Sequence, residues 1–303
     1  MLFALSELEL SYGTVSVLKN ITVQVDHGAI GLLGPNGAGK TTFIKTLLGL
    51  LEPNTGSGTV LGHNILTEQT QIRERVGYMP ENEAVFGNMT GFESVVYAAR
   101  LSGLPRTHAM RRAHEVLDYA GLEEARYRVV EGYSTGMRQR VKLAQALVHG
   151  PELVFLDEPT NGLDPRGRED MLDIISRLNQ IPVSVVLSSH LLQDVERVCD
   201  TVLVMVDGHI RHHGPLTSFT AAKQGQYEVQ VKTGGARLID ALTVAGFQIE
   251  STATDRDRFQ LTVQEDQLDT FWRTSQQLGV QVRTFAPVQI SLEKAFVRLV
   301  ENA

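Results

Sequence analysis

The sequence has a single cysteine, Cys199, in 303 residues. One thiol cannot form an intramolecular disulfide, which excludes a small disulfide-stapled scaffold and fits a reducing compartment. The cysteine stands in an apolar helical pattern, DVERVCDTVLVM, so we expect a buried structural thiol.

The sequence also lacks long hydrophobic runs and an excess of positive charge. No apolar run approaches the ~18 residues of a membrane-spanning helix, and acidic residues follow the first methionine too soon for a signal peptide. Lys and Arg number 28 against 35 Asp and Glu, a formal net charge of −7, so no global basic field attracts nucleic acid. We therefore expect a soluble cytoplasmic protein without a nucleic-acid partner.

A glycine-rich stretch, GLLGPNGAGKTTF, carries the first recognisable chemistry. It has the G-x-x-x-x-G-K-[ST] spacing, with a strand pattern before it and a helical pattern after it. Glycines let backbone N–H groups turn inward, and the helix N-terminus adds its positive dipole, so the loop is predicted to cradle phosphates. Lys40 is expected to reach the β- and γ-phosphates and the Thr41 hydroxyl to bind Mg²⁺. The loop residues assigned to the nucleotide are Gly34, Asn36, Gly37, Ala38, Gly39, Lys40, Thr41 and Thr42.

A second phosphate-handling motif, LVFLDEPT, begins at Leu153. Its apolar residues predict a buried strand that delivers two adjacent carboxylates to its C-terminal end, where ligands bind in such sheets. Asp157 is expected to hold Mg²⁺, directly or through water. Glu158 is placed to polarise the water that attacks the γ-phosphate.

Between these motifs, the stretch EGYSTGMRQRVKLAQALVHGPE predicts a capped helix. Ser134 is the expected cap of a helix that starts near Gly136, and that helix N-terminus is an anion site without a phosphate of its own. The chain therefore carries two half-sites.

Together the motifs resemble those of the ATP-binding cassette (ABC) ATPases, in which YSTGM is similar to the family's signature. In that family two subunits pack head to tail, and the signature of one closes on the γ-phosphate held by the other. The resemblance implies ATP hydrolysis with ATP and Mg²⁺ as cofactors. It also implies two partners, a transmembrane permease and a second copy of this chain or a related ATPase subunit, at the cytoplasmic face of the cell membrane.

Further positions match the same family. Tyr12, in ELSYGTVSVL, resembles the aromatic residue that stacks on adenine. Asp164, in NGLDPRGR, resembles the residue that reaches across the dimer interface. His190, which ends an apolar strand, resembles the switch histidine that contacts the γ-phosphate and helps to orient Glu158. The catalytic set implied by the resemblance is Lys40, Glu158 and His190.

Two departures from the family pattern affect the site. Thr135 and Met137 replace the signature's usual glycine and glutamine, but Ser134 and Gly136 remain, so closure on ATP is expected to survive. Glu81 stands where the family usually has a glutamine that meets Mg²⁺. A carboxylate can bind the cation, which makes this residue a third expected metal ligand, but it repels the γ-phosphate when the metal is absent.

The order of strand and helix patterns predicts two domains. Residues 1–219 read as an α/β P-loop cassette, which the resemblance implies to have an antiparallel β subdomain, with a helical insert at about 86–150. Residues 226–303 show the order β-α-β-β-α-β, which predicts a small α+β ferredoxin-like domain. We expect this second domain to modulate the dimer rather than to build the active site.

The ending ISLEKAFVRLVENA resembles that of ABC-2-type exporter ATPases and favours export. The segment after Glu81, with Val85, Phe86, Met89 and Phe92, is expected to dock the membrane partner. A small P-loop kinase or GTPase would need neither a signature helix nor this ending, and no N-K-x-D tetrapeptide is present. A non-transport ABC ATPase acting on nucleic acid or the ribosome stays open as the alternative, although the cassette is uninterrupted and has no heptad arm.

Overall fold

The computed structural model describes residues 1–82, 87–220, 225–251, 256–263, 267–288 and 290–301. The chain divides into two compact units: the first contains residues 1–216 together with the C-terminal end from Leu299, and the second contains Thr217–Arg298. In the described residues no helix has both the length and the apolar character needed to cross a bilayer.

An antiparallel sheet near the start of the chain has the strand order β2-β1-β4-β5. These strands are β1 (Phe3–Tyr12), β2 (Val15–Val25), β4 (Thr55–Val60) and β5 (His63–Asn64). Along β1, buried residues alternate with exposed ones over much of the strand, as expected when one face of a sheet packs on a core. The sheet is the antiparallel β subdomain that the family resemblance implies.

A second, mainly parallel sheet lies at the centre of this unit, with the order β10-β9-β3-β8-β7-β6. Its strands are β3 (Ala29–Leu33), β6 (Val76–Met79), β7 (Leu153–Asp157), β8 (Ser184–Ser189), β9 (Thr201–Val206) and β10 (His209–Pro215). Every residue of β3, β7 and β8 is buried, as is typical of a sheet covered on both faces. Because β3 and β7 both pair in parallel with β8, the segments that follow these three strands meet at one edge.

The hairpin between β9 and β10 turns at Asp207-Gly208, since Val206 pairs with His209. Both residues have positive φ, 48° and 81°, which is the conformation of a two-residue type I′ turn. Cys199 precedes this hairpin and is buried, in agreement with the expected structural role. Burial raises the pKa of its thiol, which keeps it protonated.

Helices cover the central sheet and form the insert. They are α1 (Lys40–Leu47), α2 (Gln69–Arg75), α3 (Gly91–Leu101), α4 (Arg106–Tyr119), α5 (Thr135–Leu147), α6 (Pro165–Ser176) and α7 (Leu192–Val198). A one-turn helix, α8 (Leu216–Phe219), spans the boundary between the two units. Short 3₁₀ turns lie at Glu123–Tyr127, Val130–Gly132 and Arg177–Gln180. The Ser134 hydroxyl accepts a hydrogen bond from the Met137 N–H, which confirms the predicted cap of α5.

The segment expected to dock a membrane partner is described only in part. Val85 and Phe86 lie outside the described residues. The Phe92 ring lies with its centroid 4.4 Å from that of His114 and 6.0 Å from that of Tyr127, so it packs within the helical insert.

The second unit confirms the predicted β-α-β-β-α-β order. Its elements are β11 (Gln226–Val231), α9 (Gly235–Val244), β12 (Gln248–Ser251), β13 (Arg258–Thr262), α10 (Leu268–Gln277) and β14 (Val282–Pro287). The last helix, α11 (Leu292–Glu301), begins in this unit, and its residues from Leu299 group with the first unit. The strands are antiparallel in the order β12-β13-β11-β14, which is the ferredoxin-like arrangement. The unit has its own apolar core, with Val229, Leu238, Phe259 and Phe271 at its centre.

Candidate nucleotide and catalytic site

The loop between β3 and α1 places a lysine among its own carbonyl groups. A Cβ at Gly34 would lie 2.4 Å from the Met205 carbonyl oxygen, so only glycine fits there. Lys40 Nζ donates to the carbonyls of Gly34 at 2.7 Å and of Pro35 at 3.3 Å. Burial lowers the pKa of Lys40, and the neighbouring carboxylate of Glu158 acts in the opposite direction. The ammonium is thus held at the mouth of the loop, where phosphate oxygens can replace the carbonyls as acceptors.

A hydroxyl and a buried carboxylate meet beside this lysine. Thr41 Oγ1 donates to Asp157 Oδ2 at 2.7 Å, while Asp157 Oδ1 is buried without a hydrogen-bond partner among the described residues. An orphaned carboxylate oxygen in the interior calls for a cation or a water molecule. The Tyr78 hydroxyl lies near the same carboxylate and is likewise buried without a hydrogen-bond partner among the described residues. Burial, and then the Asp157 charge, raises the pKa of this tyrosine.

This pair of oxygen donors fits Mg²⁺. Mg²⁺ prefers oxygen ligands and keeps several positions for water and substrate phosphates. Among the described residues no group of three or more His, Cys, Asp or Glu side chains could hold a metal by itself. Thr41 and Asp157 therefore suit a cation that arrives with a nucleotide rather than one held by the protein alone.

Glu158 adopts an unusual backbone conformation directly after β7. Its φ is 50°, in the left-handed region that non-glycine residues rarely occupy, and its N–H donates to the Ser188 carbonyl at 3.0 Å. Its carboxylate accepts a hydrogen bond from His190 Nδ1 at 2.8 Å and lies 4.0 Å from Lys40 Nζ. Burial raises the pKa of Glu158, while the His190 hydrogen bond and the lysine charge lower it.

Glu81 enters the same site from the segment after β6. Its Oε1 accepts from Asn161 Nδ2 at 3.1 Å, and its carbonyl accepts from Lys142 Nζ at 2.9 Å. Sequence reasoning missed Asn161 and Lys142. Asn161 follows the Asp-Glu-Pro-Thr motif at the carboxyl edge of the sheet, and that polar position was the one signal that could have identified it.

An open cavity of about 600 Å³ unites these groups. It is lined by Val17, Asn36, Gly37, Gly39, Lys40, Thr41, Thr42, Glu81, Asp157, Glu158, Asn161 and His190. Ala38 is buried beneath the loop, and Gly34 takes part through its carbonyl. Tyr12 does not line the cavity; it ends β1, paired with Val15, and its relative exposure is 51%.

Residues 18–161 match the ABC transporter family. The bacitracin transport ATP-binding protein BcrA of Bacillus licheniformis is 31% identical over 301 residues, which are 97% of this chain and 96% of that protein. The chain belongs to the ABC transporter family. The daunorubicin/doxorubicin resistance ATP-binding protein DrrA of Streptomyces peucetius is 32% identical over 298 residues, or 95% of this chain and 89% of its own length.

Solved structures agree with this assignment. The structure of an ATP-binding subunit of an ABC transporter matches with a TM-score of 0.65 and 30% identity, over 72% of this chain and 92% of that one. The α/β cassette fold predicted from the motifs is therefore confirmed. The protein is an ATPase. It is the ATP-binding subunit of an ABC transporter and drives transport through a separate membrane protein.

The remaining family positions of this ABC ATPase lie around a second cavity of about 590 Å³. Ser134, Gly136 and Asp164 line it, and none of the three lines the cavity that contains Lys40. Asp164 Oδ1 also caps α6 by accepting from the Gly167 N–H at 3.1 Å. One ABC subunit thus presents the residues of its phosphate loop and those of its signature motif in two separate cavities.

Proposed function

We propose that two of these subunits pack head to tail and form two composite ATP sites. The observation that carries the proposal is the separation just described: the phosphate-binding groups line one cavity, and Ser134, Gly136 and Asp164 line another. Each cavity is lined by only one of these two sets of residues. Facing copies supply the missing half to each other, which is how a symmetric dimer uses two different surfaces twice.

In each composite site the chain's own residues divide the chemistry. Lys40 binds the β- and γ-phosphates, and Thr41 and Asp157 would hold Mg²⁺, which neutralises charge on the phosphates when bound. Glu158 orients the attacking water and accepts a proton from it as a general base. Its carboxylate lines the cavity, which places it within reach of such a water. His190 fixes that carboxylate through its Nδ1–H hydrogen bond and stands within the same cavity, where a γ-phosphate would meet it.

Three further residues complete the proposed assignments. Tyr12 stacks on the adenine, which its exposed ring at the end of β1 allows. Glu81 is the third oxygen donor for the cation, and Asp164 contacts the partner copy. These roles follow the family motifs and the exposure of the side chains.

We also propose that the transporter exports its substrate and that the subunit lies on the cytoplasmic face of the membrane. BcrA and DrrA, whose names refer to antibiotic transport and drug resistance, match this chain over nearly its whole length, including the ferredoxin-like unit. The permease is then a separate membrane protein. The ferredoxin-like unit modulates the dimer, and none of its described residues lines the nucleotide cavity.

Subunit complementation tests the composite site. Lys40→Ala removes the phosphate contact, and Gly136→Asp places a carboxylate at the signature; the nearest atom to a Cβ there is Leu163 Cδ2 at 3.7 Å, so the fold tolerates the change. Each variant alone is expected to be inactive. An equimolar mixture should regain about a quarter of the wild-type ATPase rate, because half of the dimers are mixed and each has one intact site. A mixture that stays inactive, although both variants fold and Gly136→Asp binds ATP, would rule out the head-to-tail dimer.

A further inference from the structure

Two side chains of helix α5 form hydrogen bonds to two backbone segments that line the nucleotide cavity. Gln139 Nε2 donates to the Asn161 carbonyl at 3.2 Å, and Lys142 Nζ donates to the Glu81 carbonyl at 2.9 Å. The two donors are three residues apart, so they project from neighbouring positions on one face of the helix. Both are buried, and a buried side chain with a fixed partner has little freedom to move. The backbones at positions 81 and 161 are therefore held at a set distance.

Between these anchored backbones, the two side chains meet. Asn161 Nδ2 donates to Glu81 Oε1 at 3.1 Å, and the Asn161 N–H donates to the Glu158 carbonyl at 3.1 Å. Asn161 thus touches both the segment of Glu81 and the residue that polarises water. The Asn161 amide nitrogen supplies a hydrogen-bond donor to a carboxylate that shares the cavity with Asp157.

We propose that Asn161 is a positioning residue for Glu81. A carboxylate at position 81 faces two others in the cavity, Asp157 and Glu158, and repulsion would turn it away from them. The Asn161 amide fixes one oxygen of Glu81 and keeps the side chain in the cavity, while Lys142 fixes its backbone. This inference rests on the proposed nucleotide site and explains how the chain tolerates glutamate where its family usually has glutamine.

A double-mutant cycle tests the pair. Asn161→Asp is made in the wild type and in Glu81→Gln, and the Kd of a fluorescent non-hydrolysable ATP analogue is measured with Mg²⁺ by equilibrium titration. In the wild-type background, the carboxylate introduced at position 161 faces the like charge of Glu81, and we expect binding to weaken about fivefold more than in the Glu81→Gln background. In the Glu81→Gln background, the amide at position 81 donates to the introduced carboxylate, and the hydrogen bond is restored in reverse.

Two controls separate pairing from simple addition of charge. Asn88→Asp places the same charge on an exposed turn and should change the Kd equally in both backgrounds. Asn161→Ala repeats the cycle without adding charge, and since Asn161 and Glu81 are exposed, all variants should keep the wild-type melting temperature.

The outcomes distinguish this inference from the proposed function. A larger effect of Asn161→Asp in the wild type than in the Glu81→Gln background supports the positioning role. Equal factors in the two backgrounds overturn it and leave the nucleotide site intact. A folded wild-type chain that does not bind the analogue overturns both.

Discussion

His190 Nδ1 lies 2.8 Å from Glu158 Oε2, and the two residues follow neighbouring parallel strands. The register pairs Asp157 with Ser188, so the chain positions just beyond each strand reach the same edge of the sheet. With Nδ1 donating to the Glu158 carboxylate, Nε2 is the ring nitrogen left for another partner. The hydrogen bond therefore fixes the orientation of both the Glu158 carboxylate and the His190 imidazole ring.

Replacing Glu158 with glutamine should separate binding from hydrolysis. The amide keeps the size of the side chain but cannot take a proton from water, while the proposed contacts of Lys40 with phosphate and of Asp157 with the metal are unchanged. We expect MgATP to bind and hydrolysis to slow by at least about 100-fold. ATP should then trap the dimer, which light scattering detects as a doubling of mass. Glu52→Gln, on the exposed surface, is the matched control, and a Glu158→Gln variant that hydrolyses at the control rate would remove Glu158 from its assigned role.

Replacing His190 should affect the turnover rate more than substrate binding. His190→Ala removes the hydrogen bond that fixes Glu158, so we expect kcat to fall about tenfold or more with KM changed little. His213→Ala, at an exposed position of β10, controls for loss of an imidazole. A rise in KM at constant kcat would instead assign His190 to nucleotide binding.

Much of the site was predictable because its parts are local. The phosphate loop, the Ser134 cap and the strand before Asp157 each depend on a few consecutive residues, and parallel strands deliver their ends to one edge. The contact of Asn161 with Glu81 was not predictable, because the two residues are 80 positions apart and depend on the packing of α5. The left-handed backbone of Glu158 was also missed, since no glycine marks it.

His149 should make stability depend on pH. Burial lowers the pKa of His149 in the folded chain; its Nε2 lies 3.2 Å from the Val76 carbonyl, and its Nδ1 is buried without a partner in the part of the chain described. Between the lowered folded pKa and 6.5, His149 therefore binds a proton in the unfolded state but not in the folded state. Stability from this residue is complete above pH 6.5, the ordinary pKa of histidine, and is lost as the pH falls toward the lowered folded value.

The measurement compares melting temperatures at about pH 7.5 and about pH 5.5. His149→Gln keeps a donor for the Val76 carbonyl and does not titrate in this range, so its melting temperature should fall less on acidification than that of the wild type. His108→Gln, on the exposed side of α4, should behave like the wild type. If His149→Gln and the wild type lose the same amount, the acid sensitivity comes from other groups.

A chain that ends at residue 220 should still bind ATP. One apolar core of the first unit is formed by residues between Leu2 and Met205, and each described residue that lines the nucleotide cavity precedes position 191. The core of the second unit is a separate cluster, formed by residues from Val229 to Phe271. We expect the truncated chain to bind a fluorescent ATP analogue with a Kd within about twofold of the full chain, a change of less than ~0.5 kcal/mol.

Lys40→Ala in the truncated chain should abolish that binding, which shows that the signal comes from the phosphate loop. Circular dichroism establishes that the truncation is folded, and loss of binding in a folded truncation would mean that residues beyond 220 help to build the nucleotide site rather than to modulate it.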